Sequence, residues 1–187
     1  GGKLVLDHSL VSDVRVSEQF GVGVFAMEDE GVGAAPTVQL LSTRIQRVAM
    51  AGLWLSGGVG LVRGSAIDTV SASPEGLGDG LLVVSVDRAG VMFQGELTVE
   101  GTLVQHAARA SMSAYGANVS VRDSAFRCSA FDFEIAAVYS GDRPATGEVN
   151  LTDGGGTWCG CSTPRECKAQ SSTVAPVNPA PPKKPSF

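Results

Sequence analysis

One pattern recurs through the chain: an apolar anchor, a hydroxyl three residues later, and apolar or small residues at five and eight. Five segments carry it: Leu6, Ser9, Val11, Val14; Leu40, Thr43, Ile45, Val48; Val62, Ser65, Ile67, Val70; Val99, Thr102, Val104, Ala107; and Val121, Ser124, Phe126, Ser129. Leu4, Val38, Leu97 and Val119 add a branched apolar residue two before the anchor, where the third copy has Gly60. A weaker sixth copy is read at Val149 and Leu151, followed by Gly154. The anchors are 34, 22, 37 and 22 residues apart, a unit of roughly 22 residues with loop insertions. Periods of that size are the mark of solenoids, so this repeat constrains the fold more than any single motif.

The offsets also say which solenoid. Side chains two apart on a strand share a face, so positions −2 and 0 form one short strand, while the odd steps to 3 and to 8 each demand a bend. A third apolar piece completes each unit: "GVGVFA" from Gly21, "GLWLS" from Gly52, "GLLVVS" from Gly80, "SMSAY" from Ser111 and "IAAVY" from Ile135. Three short strands joined by bends make one coil. A lone coil cannot bury its inner face, but stacked coils pair strand on parallel strand about 4.8 Å apart. The expected fold is therefore all-β, a parallel β-helix of about five to six coils.

The Ser/Thr column suits a corner because a small hydroxyl bonds to nearby backbone. The 24 glycines supply the positive φ that tight bends need. Taken alone, "VQLLSTRIQRVAMAGLWL" has helical spacing, yet its siblings "NVSVRDSAFRCS" and "GKLVLDHSLVSDV" are rich in Val and Ser and alternate as strands do. A β-sandwich of short strands is the competing architecture.

On the repeated "V-x-V-x-x-S-x-F" and its variants, from Leu4 to Tyr139, the chain resembles the right-handed parallel β-helix proteins of the pectate-lyase-like superfamily. Those proteins are common among secreted and surface proteins of bacteria. They include polysaccharide lyases, hydrolases, epimerases, adhesins and coils without activity, so the resemblance implies an architecture and leaves the activity open.

Residues 1–170 read as the β-helix domain, closed by a Cys-rich stretch at 157–170. Its first coil begins without a cap, which leads us to expect further coils or a lost cap upstream. From 171 to 187 the chain, "SSTVAPVNPAPPKKPSF" in its final run, turns to Pro and Ala and reads as a tail or linker. No apolar run approaches the roughly 20 residues of a membrane helix.

The cysteines are Cys128, Cys159, Cys161 and Cys167. A zinc site favours paired C-x2-C spacings, which "WCGCSTPREC" lacks; two disulfides stapling the C-terminal end are the favoured expectation, with the pairing open, ahead of free buried thiols and then a metal site. Disulfides point to an extracellular or cell-surface location.

Chemistry should lie on outward columns. The column after the anchor reads Asp7, Leu41, Arg63, Glu100, Arg122, which stacks Arg63, Glu100 and Arg122 as neighbours. The simple reading is a solvated ion-pair ladder. The sharper one, implied by the resemblance, makes an arginine the base of a uronate lyase; that chemistry also needs Asp residues holding calcium, and no such cluster aligns. A hydrolase would need converging carboxylates, but Asp7, Asp13, Asp68, Asp123 and Asp132 fall in different columns. His8 and His106 fall at offsets 2 and 7 of different coils and read as exposed turn residues.

Glu28, Asp29 and Glu30 in "MEDEGVGAAP" read as a solvated loop in preference to a calcium site. "GGVG" at Gly57 reads as a turn, and the sequons at Asn118 and Asn150 as chance matches. A net charge of −5 argues against nucleic acid.

The favoured expectation is a non-catalytic secreted or surface scaffold without cofactors, binding a glycan or protein through one outer face. The competing one is a fragment of a polysaccharide lyase or glycoside hydrolase, with calcium under the lyase reading alone. Long loops at 27–36 and 71–79 support the second, because solenoid insertions often line a binding groove.

Overall fold

The computed structural model describes residues 2–16, 20–28, 33–74, 76–88, 90–137, 139–140, 143–144 and 149–171. It is a parallel β-helix of six coils, with three parallel six-stranded sheets each receiving one strand per coil. The first sheet stacks Lys3–Asp7, Thr37–Leu41, Val59–Arg63, Glu96–Glu100, Asn118–Arg122 and Asn150–Asp153. The second stacks Leu10–Val14, Arg44–Ala49, Ala66–Ser71, Leu103–Ala107, Ala125–Arg127 and Trp158–Cys159. The third stacks Val22–Met27, Ala51–Ser56, Asp79–Val84, Ala110–Tyr115, Phe131–Ala136 and Ala169–Gln170.

The register follows the anchors. Leu6 pairs with Leu40, Leu40 with Val62, Val62 with Val99 and Val99 with Val121. Val38, Leu40, Ile45, Val62, Ile67, Val99, Val104, Val121 and Phe126 are at most 1% exposed, so the repeated apolar positions form one continuous core. Burying each such side chain is worth about 1.5–3 kcal/mol.

Both odd steps are made by left-handed residues. Two after each anchor stand His8, Ser42, Gly64, Gly101, Asp123 and Gly155, with φ from 47° to 89°. Seven after it stand Asp13, Arg47, Thr69, His106, Cys128 and Gly160, also at positive φ. Non-glycine residues bear roughly 1–2 kcal/mol each in this conformation. The first corner offsets that cost with hydrogen bonds between coils: Ser42 N donates to Arg63 O at 2.9 Å and Gly64 N to Glu100 O at 2.9 Å.

The hydroxyl column then bonds in both directions. Thr43 N donates to Ser65 Oγ at 3.1 Å, and Thr102 N to Ser124 Oγ at 3.2 Å, while Ser65 Oγ lies 3.0 Å from Arg63 O and Ser124 Oγ 2.7 Å from Arg122 O. A corner residue of this kind must be small enough for the bend and polar enough to satisfy the next coil's backbone.

Glycine is required where the third sheet begins. A Cβ on Gly80 would lie 2.2 Å from Val104 Cγ1, one on Gly52 2.6 Å from Ile67 Cγ2, and one on Gly23 2.8 Å from Ile45 Cγ2. Each glycine admits a branched side chain of the following coil.

Two expectations need correction. In the sixth coil Leu151 pairs with Val119, so it sits two before the anchor, and the anchor position is Asp153 beside Val121. The copy read at Val149 was displaced by two because Leu151 looks like an anchor when its neighbours across the stack are unknown. In the fifth coil the third strand is Phe131–Ala136 and not the "IAAVY" piece, since Phe133 pairs with Met112 and Ile135 with Ala114. The tail from 172 lies outside the described residues.

Long coils alternate with short ones. Coils one, three and five each carry an insertion between the third and first sheets, at residues 28–36, 85–95 and 137–149, whereas coils two and four turn there through Gly57–Gly58 and Gly116–Ala117. The coil-three insertion is a hairpin of Val86–Arg88 on Val91–Phe93. Gly57, at φ 58°, sits beneath it, where a Cβ would lie 2.6 Å from Phe93 Cβ.

We expect Gly80→Ala to cost about 1–3 kcal/mol by overpacking against Val104, read as a lowered urea midpoint with an unchanged slope. A variant as stable as the parent would contradict this packing.

Candidate functional site

The three outer faces differ in what covers them. The third sheet's outer face is buried by the protein itself: Val22, Ala49, Met50, Trp54, Leu82, Tyr115 and Ala136 form a second apolar cluster with Phe20, Phe25, Leu77 and Val84. Trp54 meets Phe25 edge-on at 5.4 Å between ring centroids, and Phe20 stacks on it at 6.1 Å. The insertion at 72–78, between the second and third sheets, supplies Leu77 to this cover. The loops at 27–36 and 71–79 therefore leave the coil at different corners and do not line one edge.

Glu28 is part of the same cover, which overturns its reading as a solvated loop residue. Its side chain has no exposure; Arg88 Nε donates to one oxygen at 2.6 Å and Ser56 Oγ to the other at 3.1 Å. The pair fastens the coil-three hairpin down over coils one and two. Nothing in the local run of acids could show this, because Arg88 is 60 residues away. Asp29 and Glu30 lie outside the described residues.

Further along the same face lies a polar node centred on Arg109. Its Nε and Nη2 clasp Asp79 at 2.9 and 2.5 Å, Nη1 bonds to Glu134, both Nη atoms donate to Tyr115 Oη at 3.0 and 3.1 Å, and Nη2 lies 3.3 Å from Ser113 Oγ. Asp79 also accepts from Ala110 N at 3.3 Å. Asp79, on coil three, is fully buried, as is Ser113 on coil four, and Tyr115 and Glu134 nearly so. Burial pushes the Asp79 carboxyl up to about 6 despite Arg109, with Glu134 adding to the rise, and pushes the Tyr115 hydroxyl up to about 12. Arg109 stays charged, held by Asp79. With its donors engaged on protein acceptors, the guanidinium works as a clamp on coils three, four and five.

Among the described residues no apolar cluster covers the outer face of the first sheet. Across its outer face run Lys3, Thr37, Val59, Glu96, Asn118 and Asn150; then Val5, Gln39, Leu61, Thr98, Ser120 and Thr152; then Asp7, Leu41, Arg63, Glu100, Arg122 and Gly154. Coils one to three contribute exposed Val5 and Val59 and half-buried Leu41 and Leu61 beside Thr37 and Gln39, whereas coils four to six place no apolar side chain on this face and add Thr98, Ser120, Thr152, Asn118 and Asn150. Asn150 Nδ2 donates to Asn118 Oδ1 at 3.2 Å, so the two sequon asparagines stack on adjacent strands.

The charged column has the expected neighbours. Arg63 Nε lies 2.6 Å from Glu100 Oε2 and Arg122 Nε 3.0 Å from Glu100 Oε1. Arg63 holds the Glu100 carboxyl below its usual range, with help from Arg122. Both arginines are thus turned onto one carboxylate.

The second sheet's outer edge carries a separate set of pairs, which the column reading missed. Arg47 clasps Asp13 through two bonds of 2.7 and 2.8 Å and holds its carboxyl far below the usual range. His106 Nδ1 lies 2.9 Å from Asp68, whose other oxygen is 3.7 Å from Arg44. Asp13 and Arg47 stand at the same offset on adjacent coils, whereas Asp68 meets His106 and Arg44 from neighbouring coils at unequal offsets. His8 and His106 do not meet: His8 is at the first corner beside Asp7, and His106 at the second bend. Asp123 occupies the first corner, and Asp132 closes against Arg165 and Lys168 N near the C-terminal end.

That end is stapled as Cys128–Cys161 and Cys159–Cys167. Cys159 is fully buried under Phe126, and Arg127 lies over the Trp158 ring at 5.4 Å. Two disulfides are compatible with an extracellular protein. Among the described residues no group of three or more His, Cys, Asp or Glu could hold a metal ion, and no helix is long and apolar enough to cross a membrane.

Compared with protein-family models, with curated proteins and with solved structures, the chain finds no match in any of the three.

Replacing Arg109 with Ala would strand two buried carboxylates, at an expected cost of about 3–5 kcal/mol. Arg63→Ala, on the exposed ladder, should cost no more than about 1 kcal/mol. Denaturant titration of the two variants separates clamp from ladder, and equal costs would remove the distinction.

Proposed function

We propose that the protein is a non-catalytic secreted or cell-surface β-helix scaffold that binds a glycan chain along the bare outer face of its first sheet. The observation that supports this most is the contrast between faces: the third sheet is sealed by the chain's own loops, while the first presents polar side chains at each strand. On stacked strands such groups repeat about every 4.8 Å. Thr98, Ser120, Thr152, Asn118 and Asn150 offer donors and acceptors to the hydroxyls of an extended sugar chain. Each net hydrogen bond is worth about 1 kcal/mol, so the affinity comes from several rungs together. Val5, Val59 and Leu61 give the apolar half of the face a surface for the C–H side of a ring.

The pectate-lyase-like kinship proposed from the repeat supports the architecture. For lyase chemistry an arginine would have to be free to take a proton, and both Arg63 and Arg122 are held by Glu100.

The test is binding to a panel of neutral and acidic polysaccharides by affinity electrophoresis, run beside an assay for unsaturated ends by ultraviolet absorbance, with and without calcium. Retardation by a glycan, lost in Ser120→Arg while stability stays within about 0.5 kcal/mol of the parent, is the expected result. Calcium-dependent unsaturated ends that vanish in Arg63→Ala or Arg122→Ala would replace the scaffold with a lyase. A chain that neither binds nor cleaves any glycan would leave the face without this role.

A further inference from the structure

The Arg109 node has an imbalance of charge that its hydrogen bonds do not remove. Two buried carboxylates, Asp79 and Glu134, with side chains 0% and 8% exposed, share one guanidinium that is itself 22% exposed. The remaining partners, Tyr115 and Ser113, are neutral hydroxyls. Three coils meet there. Asp79 opens the third-sheet strand of coil three, Arg109 directly precedes that of coil four, and Glu134 sits on that of coil five. The backbone is tied at the same point, with Arg109 N donating to Gly78 O and Phe131 N to Arg109 O, both at 2.9 Å.

A buried group of net charge −1 is costly in a medium that cannot solvate it. The fold can lower that cost by moving a charge partner in or by taking up a proton, and the packed face leaves the second.

We infer that Asp79, Arg109 and Glu134 form a proton-dependent clamp, in which one proton taken up at the Asp79 carboxyl on mild acidification fastens coils three, four and five. This inference stands independently of the glycan-binding proposal. The charged and titratable groups that face Asp79 are Arg109 from the corner leading into the coil-four strand, Tyr115 from that strand and Glu134 from the coil-five strand; the coil-two strand beside it, Ala51–Ser56, brings none. Burial and Glu134 both raise the Asp79 carboxyl, from 3.8 to about 6. The sign follows: with the folded value above the unfolded one, the stabilisation is absent above about pH 6, grows as pH falls, and is complete below 3.8. The carboxylates of Asp13 and Glu100, held by arginines outside the node, shift the other way and lose their contribution only at lower pH.

The experiment is thermal unfolding of the chain between pH 7.5 and 5. The parent should gain about 3–5 °C in Tm across that range. Asp79→Asn, which keeps an acceptor for Arg109, should remove most of that gain, and Glu134→Gln should move it to lower pH by relieving the negative charge. The double variant His8→Gln/His106→Gln, which removes both histidines and leaves the node intact, serves as control and should keep the gain. A carbon-13 titration of the Asp79 carboxyl in the parent gives a readout independent of variant folding and should find a midpoint well above 4. A Tm that is flat or falls on acidification, a gain retained in Asp79→Asn, or an Asp79 midpoint near 4 would each overturn the clamp.

Discussion

The rest of the protein hangs on one backbone event, repeated in coils one to five: a single left-handed residue turns the chain from the first sheet to the second, and its amide donates to a carbonyl of the next coil. Because the turn uses one residue, the strands on either side keep opposite parity, and anchor, hydroxyl and second-sheet residue all point inward. Because the amide is satisfied by the next coil, the turn is stable only in a stack. His8, Ser42 and Asp123 accept the strain of positive φ where Gly64 and Gly101 avoid it, and the hydroxyls of Thr43, Ser65, Thr102 and Ser124 complete the corner. Coil geometry, core continuity and the placement of every outer face follow from that corner.

Upon this frame the faces take different fates. The third sheet is covered by material from alternate, longer coils, and its outer side has a core of its own with two buried ionic contacts, Glu28–Arg88 and Arg109 with Asp79 and Glu134. Each joins segments from different coils. They gain little net free energy over an apolar contact of the same shape, since desolvation takes back most of the attraction, yet their geometry admits few alternatives. Among the described residues the first sheet has no such cover, which makes it the face on which a repeating ligand could align with a repeating protein.

Much of the coil was legible in the residues. Side chains that recur at one offset are read out by stacking, so the anchors, the Ser/Thr column and the Arg63–Glu100–Arg122 row could be aligned without coordinates. The reading failed where recurrence failed. Leu151 was misplaced by two residues and the fifth third-sheet strand by several, because a weak copy has no internal reference once a long insertion separates it from its neighbour. Glu28 among its acidic neighbours looked solvated, since the hairpin that buries it is an irregular insertion.

The sequence by itself determined the coil: period, three strands, inward columns, and cysteines gathered at the C-terminal end. These are local or translationally repeated properties, and a repeat carries its own alignment. Only the tertiary structure decided which cysteines pair, which face is sealed, and that Asp79, Arg109 and Glu134 meet. The seal depends on insertions folding back over the third sheet, and the node joins two strand residues and a corner residue that stand at different positions in their coils; in neither case does a periodicity relate one partner to the other.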